Sequence, residues 1–101
     1  MRRAAKVDES QAAIVAALRE CGCSVLILSG IGERAAPDLL VGYNAPEGPR
    51  NVLLEVKTPG RDKHDLGHWR EQQEWRLLWR GPVATVHDAS EALRLVGVEV
   101  Q

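Results

Sequence analysis

The segment from Asn51 to Lys57 constrains the fold more than any other part of this chain. It is an apolar run, Asn-Val-Leu-Leu-Glu-Val-Lys, that ends in two charges. Its β-branched and aliphatic residues, with turn-forming residues before them, predict a buried β-strand. Residues two apart on a strand point to the same face, so Glu55 and Lys57 are predicted to lie side by side. Burying such charges is costly unless they are paired or bind something.

A second acid, Asp38, precedes Glu55 by 17 residues and opens another apolar run, 38–43, directly after Pro37. The segment between the two runs, 44–50, is rich in turn-forming residues and predicts an antiparallel hairpin. Two adjacent strands can bring Asp38 and Glu55 together, with Lys57 beside them. Two hard oxygen ligands suit Mg²⁺ or Mn²⁺. The lysine can orient or activate a water molecule, or neutralise an anion.

The other elements follow from hydrophobic periodicity and from turn chemistry. The 101 residues predict one domain, 1–101. The element order helix, strand, strand, strand, helix, strand, helix predicts an α/β fold with a mixed sheet flanked by helices. Gly22 and Gly97 are predicted to end the first and last helices, and Asp88 with Glu91 predicts a capping box. The predicted helices are 8–21, 66–79 and 89–96, and the further strands are 23–29, 82–87 and a short edge strand at 98–100.

Two of the predicted helices carry polar or aromatic residues that admit two interpretations. Asp8 and Gln11 on the first helix resemble a capping box, or they face the metal site, and both can hold together. On the second helix Gln72, Trp75 and Trp79 share one face. Large aromatic residues dominate burial in small domains, so the tryptophans are predicted to be core residues, with ligand stacking as the alternative.

Charge and cysteine content limit the binding partners and the cellular location that are expected of the protein. The net charge of −1 and the isoelectric point of about 6.3 are not those of a basic nucleic-acid-binding domain, although a local basic patch can coexist with an acidic site. Cys21 and Cys23 are too close to staple a fold, so reduced thiols and a cytoplasmic location are expected. No apolar run approaches the roughly 20 residues that cross a membrane, so no membrane partner is expected.

Pro37-Asp38, an interval of 16 residues, and Glu55-Val56-Lys57 together resemble the PD-(D/E)xK nuclease signature. The surrounding residues are more specific: Asp-Leu-Leu-Val-Gly-Tyr, Leu-Leu-Glu-Val-Lys, a helical Gln-x-x-Trp-x-x-x-Trp, Gly-Pro-Val-Ala-Thr-Val and a closing Ser-Glu-Ala-Leu. They look like the VRR-NUC domain, in particular its small stand-alone versions in phages and bacteria. The resemblance extends from about Val7 to Val96 and implies a metal-dependent nuclease with a restriction-endonuclease-like core.

The resemblance also implies roles for individual residues. Asp38, Glu55 and the backbone carbonyl of Val56 would ligate Mg²⁺ or Mn²⁺. Lys57 would position the attacking water and help to stabilise the pentacovalent phosphorus, and Gln72 would support the site. The family's acid on the first helix falls on Asp8, with Glu9 next to it. The candidate DNA contacts are Arg34, Arg61 and Lys63, although a solvated loop explains the last two equally well. Glu33 and Arg34 stand where smaller residues are expected, which leaves the local substrate contacts open.

Small VRR-NUC domains are similar to Holliday-junction resolvases, which work as dimers. A junction has two-fold symmetry, and two symmetric cuts need two active sites. We therefore expect a homodimer that cuts branched DNA, in the cytosol of a bacterium or of a phage-infected host. One alternative keeps the fold without the chemistry, as a non-catalytic DNA-binding or assembly module. A more distant alternative is a structural Glu55–Lys57 ion pair in an ordinary α/β interaction domain.

Overall fold

The structure is a computed structural model that describes residues 2–31, 35–57 and 66–99, with the backbone alone for 2–9 and 66–68. It has the α/β architecture and the element order that the sequence predicts. In chain order the elements are α1 (Arg2–Glu20), β1 (Ser24–Ile27), β2 (Leu39–Ala45), β3 (Gly48–Val56), α2 (Leu66–Leu78), β4 (Val83–Val86) and α3 (Ala89–Leu95).

The four strands form one mixed sheet in the order β1-β2-β3-β4. The pairs β1–β2 and β2–β3 are antiparallel, whereas β4 lies parallel to β3. A parallel neighbour requires a crossover connection, and the segment that contains α2 makes it. The strand β3 is therefore paired on both sides at Leu53 and Leu54, directly before Glu55.

The predicted hairpin between β2 and β3 is confirmed, but its turn is shorter than the predicted 44–50. Ala45 pairs with Gly48, so only two residues separate the strands. The φ angle of Gly48 is +129°, a conformation that residues with a Cβ rarely adopt. Pro49 can follow within the strand because β4 pairs with β3 only from Leu53 onwards, which leaves this end of β3 with a single neighbour.

The two faces of β3 have different partners. Val52 and Leu54 point into the apolar core, which α1 and α3 complete on that face of the sheet. Leu53 and Glu55 point to the opposite face, where α2 lies and donates a hydrogen bond to Glu55. The core residues are Ile14, Val15, Leu18, Val25, Leu39, Val41, Val52, Leu54, Val86, Ala92 and Val96.

Both predicted glycine stops are confirmed. After α1, the N–H of Gly22 bonds to the carbonyl of Arg19, and that of Cys23 bonds to Leu18. After α3, Gly97 and Val98 make the equivalent bonds to Arg94 and Leu93. The φ angles of the two glycines are +90° and +91°, as this helix-ending motif requires.

Three predictions about element ends are wrong. The helix α1 begins at Arg2, six residues before the predicted start, because the preceding residues are mostly good helix formers. Asp8 is therefore an interior helical residue and does not cap α1. Val98 and Glu99 form no strand, since the N–H of Val98 is used in the helix-ending motif.

The capping box at α3 is confirmed in part. The side chain of Asp88 accepts a hydrogen bond from the N–H of Glu91 at 2.9 Å. The carboxylate of Glu91 does not return to Asp88, however, but accepts from the N–H of His87 at 2.7 Å. These bonds still satisfy backbone donors at the start of a helix of only seven residues.

The prediction that Trp75 and Trp79 belong to the core is wrong. Their rings stack on each other, with centroids 5.0 Å apart and planes inclined by 14°. Neither residue joins the apolar core, and Trp79 is 47% exposed. The core lies on the other face of the sheet, so the aromatic face of α2 meets only the partly covered face of the sheet.

No helix in the described part of the chain is long and apolar enough to span a bilayer.

Candidate active site

Asp38 and Glu55 lie beside each other at one end of the β2–β3 ladder. Leu39 pairs with Leu54, and Asp38 directly precedes Leu39 while Glu55 directly follows Leu54. The charge of Asp38 acts on the Glu55 carboxyl, so the two acids are close. The carboxylate of Asp38 also accepts a hydrogen bond from the N–H of Val56 at 2.8 Å. The two acids that sequence analysis singles out are therefore neighbours.

The backbone of Asp38 is held on both sides, although this residue lies just before β2. Its N–H donates to the carbonyl of Leu54 at 2.9 Å, and its carbonyl accepts from Leu28 at 2.7 Å. The buried ring of Pro37 precedes it. These contacts fix the backbone position from which the Asp38 side chain extends. A binding site needs such rigid support for its side chains.

Glu55, Lys57 and Gln72 form a hydrogen-bonded chain. The amide nitrogen of Gln72 donates to Glu55 Oε2 at 2.6 Å, while its Oε1 accepts from Lys57 Nζ at 2.5 Å. Lys57 Nζ also lies 3.8 Å from Glu55 Oε2. The side-by-side placement of Glu55 and Lys57 is thus confirmed, and Gln72 on α2 reaches both of them.

The pKa of Glu55 is raised from 4.5 to about 7, chiefly because the buried carboxylate loses its hydration. The negative charge of Asp38 also raises this pKa. Lys57, the hydrogen bond from Gln72 and Arg76 act in the opposite direction, but they do not overcome the first two effects. The residue is only 7% exposed. Strong perturbation of a buried carboxyl beside a second acid is typical of functional sites.

Arg76 is a residue of this region that sequence analysis missed. It lies one helical turn after Gln72, and its guanidinium donates to Thr85 Oγ1 at 2.6 Å and to the Val83 carbonyl at 3.3 Å. These bonds hold α2 against β4 and so hold Gln72 over Glu55. Its spacing of four residues from Gln72, which places both on one face of the helix, is the signal that could have identified it.

The donor atoms of the site fit a hard divalent cation. Two carboxylates that repel each other supply oxygen ligands at one point. The N–H of Val56 points towards Asp38, and in an extended strand the carbonyl of the same residue points to the same side. Within the described residues no group of three or more His, Cys, Asp or Glu side chains could hold a metal ion. Mg²⁺ commonly binds through one or two carboxylates and retains several waters, so this smaller set suffices.

Several predicted site residues cannot be placed against this cluster. The side chains of Asp8 and Glu9, and all of Glu33, Arg34, Arg61 and Lys63, lie outside the described part of the structure. Gln11 is described, and it lines a groove between α1 and Ile27 of β1 whose lining includes neither Asp38 nor Glu55. The structure therefore brings together Asp38, Glu55, Lys57 and Gln72, with the backbone of Val56 between the first two.

Comparison of the chain with protein-family models, curated protein sequences and solved structures gives no match. The functional interpretation rests on the chemistry of this cluster and on the sequence motifs that predicted it.

Proposed function

We propose that the chain is a metal-dependent nuclease that hydrolyses phosphodiester bonds in DNA, and that Asp38, Glu55, Lys57 and Gln72 form its active site. The observation that carries the proposal is the contact of Gln72 with both Glu55 and Lys57, beside Asp38 at the end of a central strand. Asp38, Glu55 and the Val56 carbonyl would hold Mg²⁺ or Mn²⁺. The bound ion would polarise the phosphoryl oxygen and lower the pKa of a bound water.

The protein side chains have distinct tasks in this proposal. Lys57 places a positive charge beside the site, where negative charge develops on the phosphoryl group. The Oε1 atom of Gln72 accepts from Lys57 and so aims the ammonium group, while its amide group orients Glu55. Because the Gln72 side chain orients both the proposed metal ligand Glu55 and the ammonium group of Lys57, loss of Gln72 should impair metal binding and turnover together.

A purely structural ion pair explains the cluster less well. An ion pair that stabilises a fold lowers the pKa of its carboxyl group, since folding then favours the charged form. Here the pKa of Glu55 is raised, so its ionised form destabilises the folded protein near neutral pH. The side chains of Glu55 and Lys57 are also only 9% and 14% exposed. An arrangement that reduces stability is typical of a functional site.

We propose further that the active form is a homodimer. Leu77 and Leu78 at the end of α2 are 85% and 79% exposed, beside the half-exposed Trp79. Adjacent, strongly exposed leucines are the kind of apolar surface that marks a protein interface. A two-fold dimer would present two active sites, which a symmetric branched DNA substrate requires. Sedimentation at micromolar concentration, with and without DNA, tests this: a monomer under both conditions would refute it.

Cleavage of a labelled panel tests the nuclease proposal. The panel contains a four-way junction, a flap, a duplex and a single strand, each incubated with Mg²⁺, Mn²⁺ or EDTA. We expect metal-dependent cutting that Asp38→Asn abolishes. The matched control is Asp88→Asn, because asparagine caps a helix as well as aspartate does and Asp88 lies at the start of α3.

Three outcomes of this experiment differ in meaning. Paired cuts on the junction would support a structure-selective nuclease and the dimer. Cutting spread over all substrates would support the nuclease activity and refute the selectivity for branched DNA. DNA binding without cutting under any metal condition would overturn the proposal in favour of a non-catalytic DNA-binding module.

A further inference from the structure

An apolar groove lies directly beside the candidate active site. Its volume is about 410 Å³, in the range of small-molecule pockets. Leu53 lines it and precedes Glu55 by two residues on the same strand face, a distance of about 7 Å along the strand. Pro37, which immediately precedes Asp38, also lines it. Any occupant of the groove is thus a close neighbour of the group bound between Asp38 and Glu55.

Trp79 forms one wall of the groove, and its neighbours hold the ring in place although the residue is half-exposed. One face of its indole stacks on Trp75. Its ring also packs over Gly81, where a Cβ atom would lie 3.0 Å from the indole Nε1. A glycine at this position therefore leaves room for the ring. An exposed aromatic side chain that is fixed in place is pre-organised to bind a flat partner at low entropic cost.

The lining has the chemistry of a stacking surface and not that of a phosphate site. Besides the two tryptophans, the groove presents Leu28, Ile31, Pro37 and Leu53, and none of its described lining residues is charged. Nucleobases stack on aromatic side chains with little regard to sequence, because every base has a π-face. We infer that this groove, here named the tryptophan groove, binds one unstacked nucleobase of the strand whose phosphate lies at Asp38 and Glu55.

This inference rests on the proposed function for its choice of ligand, but it can be tested without cleavage. The probe is a thymidine oligonucleotide of about ten nucleotides, within the usual site size of single-strand-binding folds. The reference is an abasic phosphodiester chain of the same length, which has the same charge and no bases. Binding of each is measured in EDTA at low salt, by fluorescence of labelled oligonucleotides.

We expect the thymidine oligonucleotide to bind about 5- to 100-fold more tightly than the abasic chain, as stacking of a base on an aromatic side chain allows. Trp79→Leu should remove most of this preference and leave the abasic affinity unchanged. Trp69→Leu is the matched control, because Trp69 lies on the same helix, is 46% exposed and does not line the groove. Gly81→Ala should reduce the preference while it keeps every tryptophan.

Several results would overturn the inference. These are equal affinity for both probes, no binding of the thymidine oligonucleotide, or equal effects of Trp79→Leu and Trp69→Leu. If Trp79→Leu dissociates a dimer and leaves the base preference intact, the groove is a contact between protein copies. Cutting without base preference would refute this inference alone. Base preference without cutting would refute the proposed nuclease activity and leave the groove as a base-binding site.

Discussion

Replacing Glu55 by glutamine should stabilise the folded protein above neutral pH. Burial and the charge of Asp38 raise the pKa of Glu55 from 4.5 to about 7, so folding favours the neutral carboxyl. The stabilisation from this protonated group is complete below pH 4.5 and is lost as the pH rises through 7. A rise from 4.5 to about 7 corresponds to about 3 kcal/mol at pH values above both.

Urea unfolding of the parent and of Glu55→Gln in EDTA measures this effect. At pH 8 the variant should exceed the parent in free energy of unfolding by about 3 kcal/mol, and at pH 4.5 the two should be nearly equal. The m-values should stay the same, which would show that the unfolded state has not changed. Glu74→Gln is the charge-matched control, because it removes the same charge from the exposed face of α2.

A bound metal ion should offset most of this difference in stability if the proposed site is correct. At pH 8 a saturating divalent ion should stabilise the parent, by about 2.7 kcal/mol at a hundred times the dissociation constant, and should not stabilise Glu55→Gln. A parent that is more stable than the variant at pH 8 in EDTA would refute the reasoning. So would a difference between them that stays constant from pH 4.5 to pH 8.

Four further predictions concern the candidate site, the cap of α3 and the exposed leucines at the end of α2. Lys57→Ala should fold, bind DNA and lose cutting by at least about a hundredfold, since removal of one stabilising donor commonly costs that much; undiminished cutting would contradict the role of Lys57. Gln72→Leu should weaken both metal binding, followed by calorimetry, and turnover. Gln72→Glu keeps an acceptor for Lys57 but loses the donor to Glu55, so it should misplace Glu55. Asp88→Ala should lower the free energy of unfolding by about 1 kcal/mol in urea titration, because the α3 cap is lost. Leu77→Glu with Leu78→Glu should yield a monomer by sedimentation without loss of fold, and an unchanged oligomeric state would place the interface elsewhere.

The sheet and the central pair of acids could be predicted because their signals are local. The apolar runs, the turn residues between them and the period of two along β3 determine the hairpin and the neighbouring positions of Asp38 and Glu55. The wrong limits of the hairpin turn have a physical cause. Pro49 is acceptable in a strand that lacks a second neighbour, and no local pattern reveals which end of a strand has one.

The errors on α2 have a different origin. Helical periodicity shows that Gln72, Trp75 and Trp79 share a face, but it does not show what that face meets. The core formed on the opposite side of the sheet, so the glutamine became buried at the site while Trp79 stayed half-exposed. The role of Arg76 depends on the register between α2 and β4, which is a tertiary property.

The two-sidedness of β3 has a consequence for how this protein can change. Even-numbered positions such as Val52 and Leu54 pack against α1 and α3, whereas odd-numbered positions such as Leu53 and Glu55 face the candidate site. Residues that build the core and residues that line the candidate site therefore alternate along one strand. Substitutions can alter the candidate site on one side of the sheet while the other side keeps the chain folded.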